Sequence, residues 1–357
     1  MSRYPFPIPD LSGRALTVTG PVDPAELGVT LMHEHLFVDL RRPARFHRPG
    51  EDSPAAREPL TQANLARTRH GFPSADNDRL DDYDDMLRET RAFTEAGGRT
   101  IVDVTPIGVG REPELLARLS RESGMPIVMG GAFYTPTFHP EDMDDRTVYD
   151  LADEIVRDIV LGVGGTGIRS GIIGEVGSDS NPLTGNELKS IRAAGRASRV
   201  TGAPITFHVG GVGEEKFLIL DILAEEGVAP ENIVIGHGSE VLHNPAFAEK
   251  VFARGVFVEL DFLASPGSPW GHLVLGSDHR VAAGMAELVA AGYERQLLLG
   301  HDVCQKIQLK KYGGQGFDYI SRHFLPALAR LGVSEAALHA ITVDNPARAL
   351  AFAPPHG

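Results

Sequence analysis

One cysteine, Cys304, stands among 357 residues, so no disulfide can form within the chain and no structural zinc site can be built on thiolates. That poverty fits a reducing compartment. No stretch approaches the roughly 18 uninterrupted apolar residues of a membrane span, and the opening MSRYPFPIPD has neither the basic start nor the apolar run of an export signal. Positive charge is short as well: 34 Lys and Arg against 48 Asp and Glu leave a formal charge of −14. Phosphate backbones and anionic membrane surfaces repel an acidic chain. The expectation is a soluble, cytoplasmic protein whose partner is a small molecule, with no nucleic acid and no membrane.

A chain of this length buries about three quarters of its unfolded surface, so it needs no metal to fold and any metal site is there for chemistry. Length alone allows two domains, but α/β barrels run from about 200 to more than 400 residues as one unit. Eight Val- and Ile-rich runs bounded by Gly or Pro read as strands. They are VTLMHEHL from Val29, TIVDVTP from Thr100, PIVMGGAFY from Pro126, GIIGEVGS from Gly171, PITFHVG from Pro204, NIVIGHGS from Asn232, VFVELDF from Val256 and QLLLGHD from Gln296. Continuous apolar character suits parallel strands covered on both faces.

Helical spacing separates them, as in DMLRETRAFTEAGG, ELLARLSRESG, LADEIVRDIVLG, ELKSIRAAGRASRVTG, FLILDILAEEG and RVAAGMAELVAAG. Eightfold alternation predicts an α/β fold, a closed (β/α)8 TIM barrel in one domain over 1–357; an open doubly wound sheet is the alternative. Residues 40–80, polar and Pro-rich, are far longer than a usual strand-to-helix loop and read as an insertion after strand one, either a lid or an inert surface loop. SPGSPWGHLVLGSDHR, around Trp270, follows strand seven, where barrel enzymes carry substrate loops.

Ionisable residues cluster where strands end. His33 and His35 are two apart on strand one, which puts both on one face with Glu34 on the other. Glu175 sits inside an apolar run, where desolvation demands a cationic partner. His208, His237 and Asp302 each close an apolar strand. Four imidazoles and two carboxylates would then converge on one barrel mouth. Mixed N and O donors suit zinc or another borderline divalent ion such as Mn, Co or Fe, in contrast to the all-oxygen sites of calcium.

This layout resembles the amidohydrolase superfamily, and LMHEHLFVDL, GGAFYTPTFHP, GEVGS, FHVGG, GHGSE, HDVCQK, YGGQGFDYISRHFLP and TVDNPAR resemble signatures of its phosphotriesterase-related branch, close to the phosphotriesterase homology proteins. The likeness runs from about Val29 to Arg348. It implies a homodimeric hydrolase with two divalent metal ions. His33, His35 and Asp302 would hold one, His208 and His237 the other, and Glu175 would bridge them where phosphotriesterase has a carbamylated lysine. Both bridges carry one negative charge, although Glu is shorter. The resemblance further implies a metal-bridging hydroxide as nucleophile, with Asp302 as the catalytic proton acceptor.

Tyr134 resembles the tyrosine that lactonase members place over the substrate carbonyl; a tyrosine packed under a loop is the other reading. Phe262 follows Asp261 where phosphotriesterase has a relay histidine, which counts against organophosphate hydrolysis and favours a lactone among lactones, phosphoesters and related esters or amides. LGVGGTGIRSGIIG lacks a phosphate-loop ending and precedes its strand, so nucleotide binding is not expected. His301 should face away from Asp302, Cys304 should simply pack, and Lys306, Lys310 and Lys311 should line a solvated helix face beyond strand eight, contact with an anionic substrate being the other reading. Two rivals remain at this point: a non-catalytic small-molecule binding barrel, and a metal-free glycosidase-type enzyme using Glu175 and Asp302.

Overall fold

All eight apolar runs form strands, in the expected order and all parallel: β1 Thr30–Glu34, β2 Thr100–Asp103, β3 Ile127–Met129, β4 Ile173–Ser178, β5 Ile205–Val209, β6 Ile233–Ile235, β7 Phe257–Leu260 and β8 Leu297–Leu299. The computed structural model describes residues 3–209, 214–265, 269–270, 273–274 and 276–356. β1 to β3 make one ladder and β4 to β8 another. Further backbone hydrogen bonds join the ladders at both seams. Gly171 N–H donates to Met129 O at 2.8 Å on one side, and on the other Asp302 N–H donates to His33 O and His35 N–H to Val303 O, each at 3.1 Å. The result is a (β/α)8 TIM barrel, not the open sheet. The β8–β1 seam requires glycine, because a Cβ at Gly300 would lie 2.9 Å from the Cβ of His33.

Met32, Val102, Val128, Val234, Phe257 and Leu298 come from six different strands yet form one buried cluster, as only the barrel interior allows. The opposite strand faces, through Leu31, Ile101, Ile127, Ile205 and Val258, pack on the surrounding helices. These are α1 Tyr83–Glu95, α2 Pro113–Ser123, α3 Val148–Val160, α4 Gly185–Thr201, α5 Glu215–Glu225, α6 Pro245–Phe252 and α7 Asp278–Ala290. After β8 a π turn, Ile320–Phe324, leads into α8 Leu325–Arg330, and α9 Glu335–His339 and α10 Asn345–Ala349 finish the ring. An N-terminal hairpin, Ala15–Thr17 with Gly20–Val22, precedes the barrel and was not marked by the apolar pattern.

α4 shows how sequence sets a boundary near the site. Thr184 and Glu187 form a reciprocal capping box, and Glu187 also accepts from the backbone of Asp179 at 2.7 Å and Ser180 at 2.9 Å, fixing the loop that leaves β4. The helix stops at Gly202, whose φ of 77° is left-handed.

The 40–80 insertion is ordered around 3-10 turns, Ala44–Phe46 and Pro54–Arg57, and one short helix, Leu65–Arg69. Its two ends are stapled by an antiparallel pair, Val38 opposite Leu80 and Asp39 opposite Arg79. Among the described residues no helix is long and apolar enough to cross a membrane.

Candidate metal centre and its cavity

Glu175, buried on β4, is the hub. Its Oε2 lies 3.3 Å from His33 Nε2 and 3.1 Å from His208 Nδ1, its Oε1 lies 3.4 Å from His35 Nε2, and His237 Nε2 is 3.9 Å from Oε2. His35 Nε2 also lies 3.2 Å from Asp302 Oδ1. All six residues named from the sequence therefore meet at the C-terminal mouth of the barrel. The period-2 expectation for β1 holds, since His33 and His35 both reach Glu175 while Glu34 turns away to His301.

Burial opposes charge on these groups, and proximity overrides it. Desolvation alone would lower the His33, His35 and His208 pKa values, yet the carboxylates facing them, Glu175 foremost for His33 and His208 and Asp302 for His35, raise all three. Conversely, burial would raise Glu175 and Asp302, but the imidazoles hold both below the usual carboxylate range. Each is thus an ionised acceptor. Protons on these imidazoles occupy the places a metal would take, so metal and proton compete for the same lone pairs.

The residues present fit a metal. Among the described residues His33 Nε2 is fully buried without a hydrogen-bond partner, a costly condition unless something else binds that nitrogen. Among the described residues three sets of ligand atoms lie close enough together to share an ion: His33, His35 and Glu175; Glu175, His208 and His237; and His33, His237 and Asp261. The ring nitrogens turned away from Glu175 are also supported. His237 Nδ1 meets Asp261 Oδ1 and His35 Nδ1 meets Thr105 Oγ1, both at 2.9 Å, while His33 Nδ1 lies 3.2 Å from Asp261 Oδ2 and 3.4 Å from Glu259 Oε2. Such outer partners orient metal-binding imidazoles.

Asp261 and Glu259 were not singled out from the sequence as site residues. The signal was there, because two carboxylates at period 2 within an apolar strand mirror His33 and His35. Burial pushes Glu259 up to about 7. Backbone strain marks the same place: His237 and Asp302 adopt φ of 52° and 54°, left-handed for non-glycine residues. The His237 N–H donates to Asp261 Oδ2 at 2.9 Å, which helps hold that conformation.

Glu34 and His301 clamp the β1–β8 seam from behind. Glu34 Oε1 accepts from the His301 backbone at 2.8 Å and faces its Nδ1 at 2.6 Å, Oε2 accepts from Val303 N–H at 3.0 Å, and His301 Nε2 accepts from Ile320 N–H at 3.2 Å. His301 faces away from the cluster, as alternation with Asp302 requires.

A cavity of about 1370 Å³ opens onto the cluster, lined by His35, His208, His237 and Asp302 and by much of the 40–80 insertion. Tyr134 lines it too, with its hydroxyl 3.3 Å from His208 Nδ1, so it borders the site. Burial, then the charge of Glu175, raises its pKa well above the ordinary value, so the phenol keeps its proton. Phe262 stacks on His237 with centroids 4.3 Å apart, filling space where a relay group would sit. Cys304 is buried at the cavity wall.

The expected lysine face is corrected. Lys306 is nearly buried and bonds Asp76 at 2.6 Å, Lys310 bonds Asp318, and Lys311 bonds Asp85 at 2.7 Å, all from short 3-10 turns or their flanks. Lys306 and Lys311 tie the loop after β8 to the insertion and α1, while Lys310 bonds within that loop. Of the segment around Trp270, Pro269–Trp270 pairs with Leu273–Val274, and residues 266–268, 271, 272 and 275 lie outside the described residues.

Fold and site together define a class: barrel enzymes whose chemistry sits at the C-terminal strand ends, here with donor atoms able to hold metal. The model of the Phosphotriesterase family matches residues 13–350, and the chain belongs to that family. It is similar to the N-acetyltaurine hydrolase of Salmo salar, 31% identical over 352 residues that cover 96% of this chain and 99% of that protein. Among solved structures, a resiniferatoxin-binding protein from Rhodobacter sphaeroides superposes with a TM-score of 0.89 at 36% identity, covering 96% of each chain. A lactonase from Listeria monocytogenes gives 0.78 at 27% identity, covering 95% of this chain and 99% of that one. The chain is a hydrolytic enzyme of this family.

Proposed function

We propose that the chain is a metal-dependent hydrolase with two divalent ions, best zinc, that cleaves the acyl bond of a small carbonyl compound, foremost an N-acyl amide of the N-acetyltaurine kind. The observation that carries the reading is one carboxylate, Glu175, within 3.4 Å of three imidazoles and 3.9 Å of a fourth. A carboxylate so placed would help hold both ions. His33, His35 and Asp302 would hold one ion and His208 and His237 the other. When bound, divalent metal supplies Lewis acidity, bringing water's pKa from 15.7 to about 7 and polarising the substrate oxygen.

The chain's own residues account for the rest. Asp302 is ionised and accepts a proton at Oδ1 as water adds to the acyl carbon. It returns that proton to the leaving nitrogen as the C–N bond breaks, giving a carboxylic acid and an amine. The Tyr134 hydroxyl keeps its proton and donates toward the carbonyl oxygen as negative charge develops there. Phe262 closes the side of His237 to water and supplies no proton carrier, which sets phosphotriesters behind carbonyl substrates.

A lactone is the second reading, favoured by Tyr134 at the cluster and by the lactonase likeness. A binding barrel, the role that the Rhodobacter protein's name describes, leaves the complete donor set without use. The test is metal analysis with turnover of N-acetyltaurine and a lactone panel. Close to two ions per chain, and loss of both metal and hydrolysis in Glu175→Ala, support the proposal. Full hydrolysis by metal-stripped protein would refute it.

A further inference from the structure

Five arginines line the cavity, and three have partners: Arg41 grips Asp39, Arg69 donates to the carbonyls of Tyr312 and Gly313, and Arg57 lies 3.6 Å from Asp52. Arg42 and Arg48 differ. The Arg42 side chain is 24% exposed and pairs with Glu51 only at 4.0 Å, and its guanidinium makes no hydrogen bond among the described residues. Arg48 likewise makes no side-chain hydrogen bond among them, and only its backbone N–H reaches Glu51, at 3.0 Å. Burial, then the nearby charge of Arg48, lowers the Arg42 pKa, with Glu51, Asp78 and Asp179 opposing.

The main chain at Arg42 is held in place. His47 uses both ring nitrogens, Nδ1 on Asp52 at 2.8 Å and Nε2 on the Arg42 carbonyl at 2.9 Å. A partly buried guanidinium whose N–H donors make no hydrogen bond among the described residues, with Glu51 no nearer than 4.0 Å, has donors to offer an anion in the cavity. Its planar fork matches the oxygens of a carboxylate or sulfonate. Arg42 and Arg48 line the same cavity as the histidine cluster, and among the described residues Arg42 keeps its donors unbonded although Glu51, Asp78 and Asp179 line that cavity too.

We propose that Arg42, assisted by Arg48, binds the acid group of the substrate, making this a hydrolase of acyl compounds that carry a sulfonate or carboxylate beyond the scissile bond. The inference rests on the hydrolase reading for the bond that is cut, and on the guanidinium pair for the acid group. Water supplies the oxygen of the new carboxyl group and the proton of the released amine, while the acid group stays in ionic contact and takes no part in bond-making.

The test compares three acyl amides of similar size on metal-reconstituted protein: N-acetyltaurine, N-acetyl-β-alanine and the uncharged N-propylacetamide. In Arg42→Ala, kcat/KM for the preferred acid should fall at least tenfold more than for N-propylacetamide, chiefly through KM. Arg42→Lys should be intermediate and Arg45→Ala, on an exposed arginine paired with Glu141, unchanged. Should Arg42→Ala melt early, Arg42→Gln decides. The ratio of the two acids shows whether sulfonate or carboxylate fits better. Equal losses on charged and neutral amides, or no loss, overturn the proposal. If no amide is turned over, the hydrolase reading fails separately, and calorimetry of N-acetyltaurine with metal-free protein judges Arg42. Binding weakened at least tenfold in Arg42→Ala supports the role; equal binding, or none to the parent protein, refutes it.

Discussion

Replacing Asp261 by Asn tests whether the carboxylate behind the imidazoles orders the metal centre. Asp261 offers two oxygens to three nitrogens: the His237 backbone N–H at 2.9 Å, His237 Nδ1 at 2.9 Å and His33 Nδ1 at 3.2 Å. Each Nδ1 that donates here leaves its Nε2 lone pair free to bind metal. Asn keeps one oxygen and puts an NH2 group in place of the other, so at least one of the three donors loses its acceptor and faces another donor. A hydrogen bond to a charged group contributes about 1.5–3 kcal/mol, and roughly 1.4 kcal/mol is tenfold in affinity. Asp261→Asn should therefore weaken metal binding about 10- to 100-fold.

The assay titrates metal-free protein with zinc against a competing chromophoric chelator, alongside the melting temperature of the metal-free form. A weakened affinity in a protein that still melts cooperatively would locate the effect in ligand orientation. Unchanged affinity would show that His237 and His33 need no carboxylate behind them. The account of the centre as an oriented donor set would then be wrong.

Two further expectations concern the scaffold. Arg111 and Asp158 form a buried ion pair at 2.7 Å, with side chains 8% and 9% exposed, so Arg111→Ala should cost about 3–5 kcal/mol in urea unfolding by leaving a carboxylate unpaired. Adding Asp158→Leu should recover part of it, and a single-mutant cost below about 1 kcal/mol would contradict the pair's structural role. Burial raises Asp78 from 3.8 to about 6, against the opposing hydrogen bonds of Gln305 and Asn77. Folded Asp78 holds a proton that the unfolded chain has already released. Its contribution is thus fully present below pH 3.8 and is lost as pH rises through about 6, by at most about 3 kcal/mol. Asp78→Asn, which keeps an acceptor for Gln305, should gain on the parent protein in melting temperature between pH 4 and pH 7; parallel curves would exclude this titration.

The legibility of the molecule follows the range of the forces involved. Strand order and the His33/His35 face were readable because alternation is covalent geometry. Glu34 and His301 are 267 positions apart and Lys306 and Asp76 are 230 apart, so partners of that kind appear only once the chain has closed. α6, Pro245–Phe252, was not singled out because its eight residues give the helical period little room to show.

Glu259 and Asp261 are another matter. Two carboxylates spaced by two in VFVELDF face the same desolvation argument that gave Glu175 a cationic partner, and applying it to β7 would have placed both against the histidines. Arg42 had no such signal. Its guanidinium makes no hydrogen bond among the described residues, since Arg41 takes Asp39 and Glu51 stays 4.0 Å away. A cation's availability is what the rest of the fold leaves over, and only the assembled structure shows that remainder.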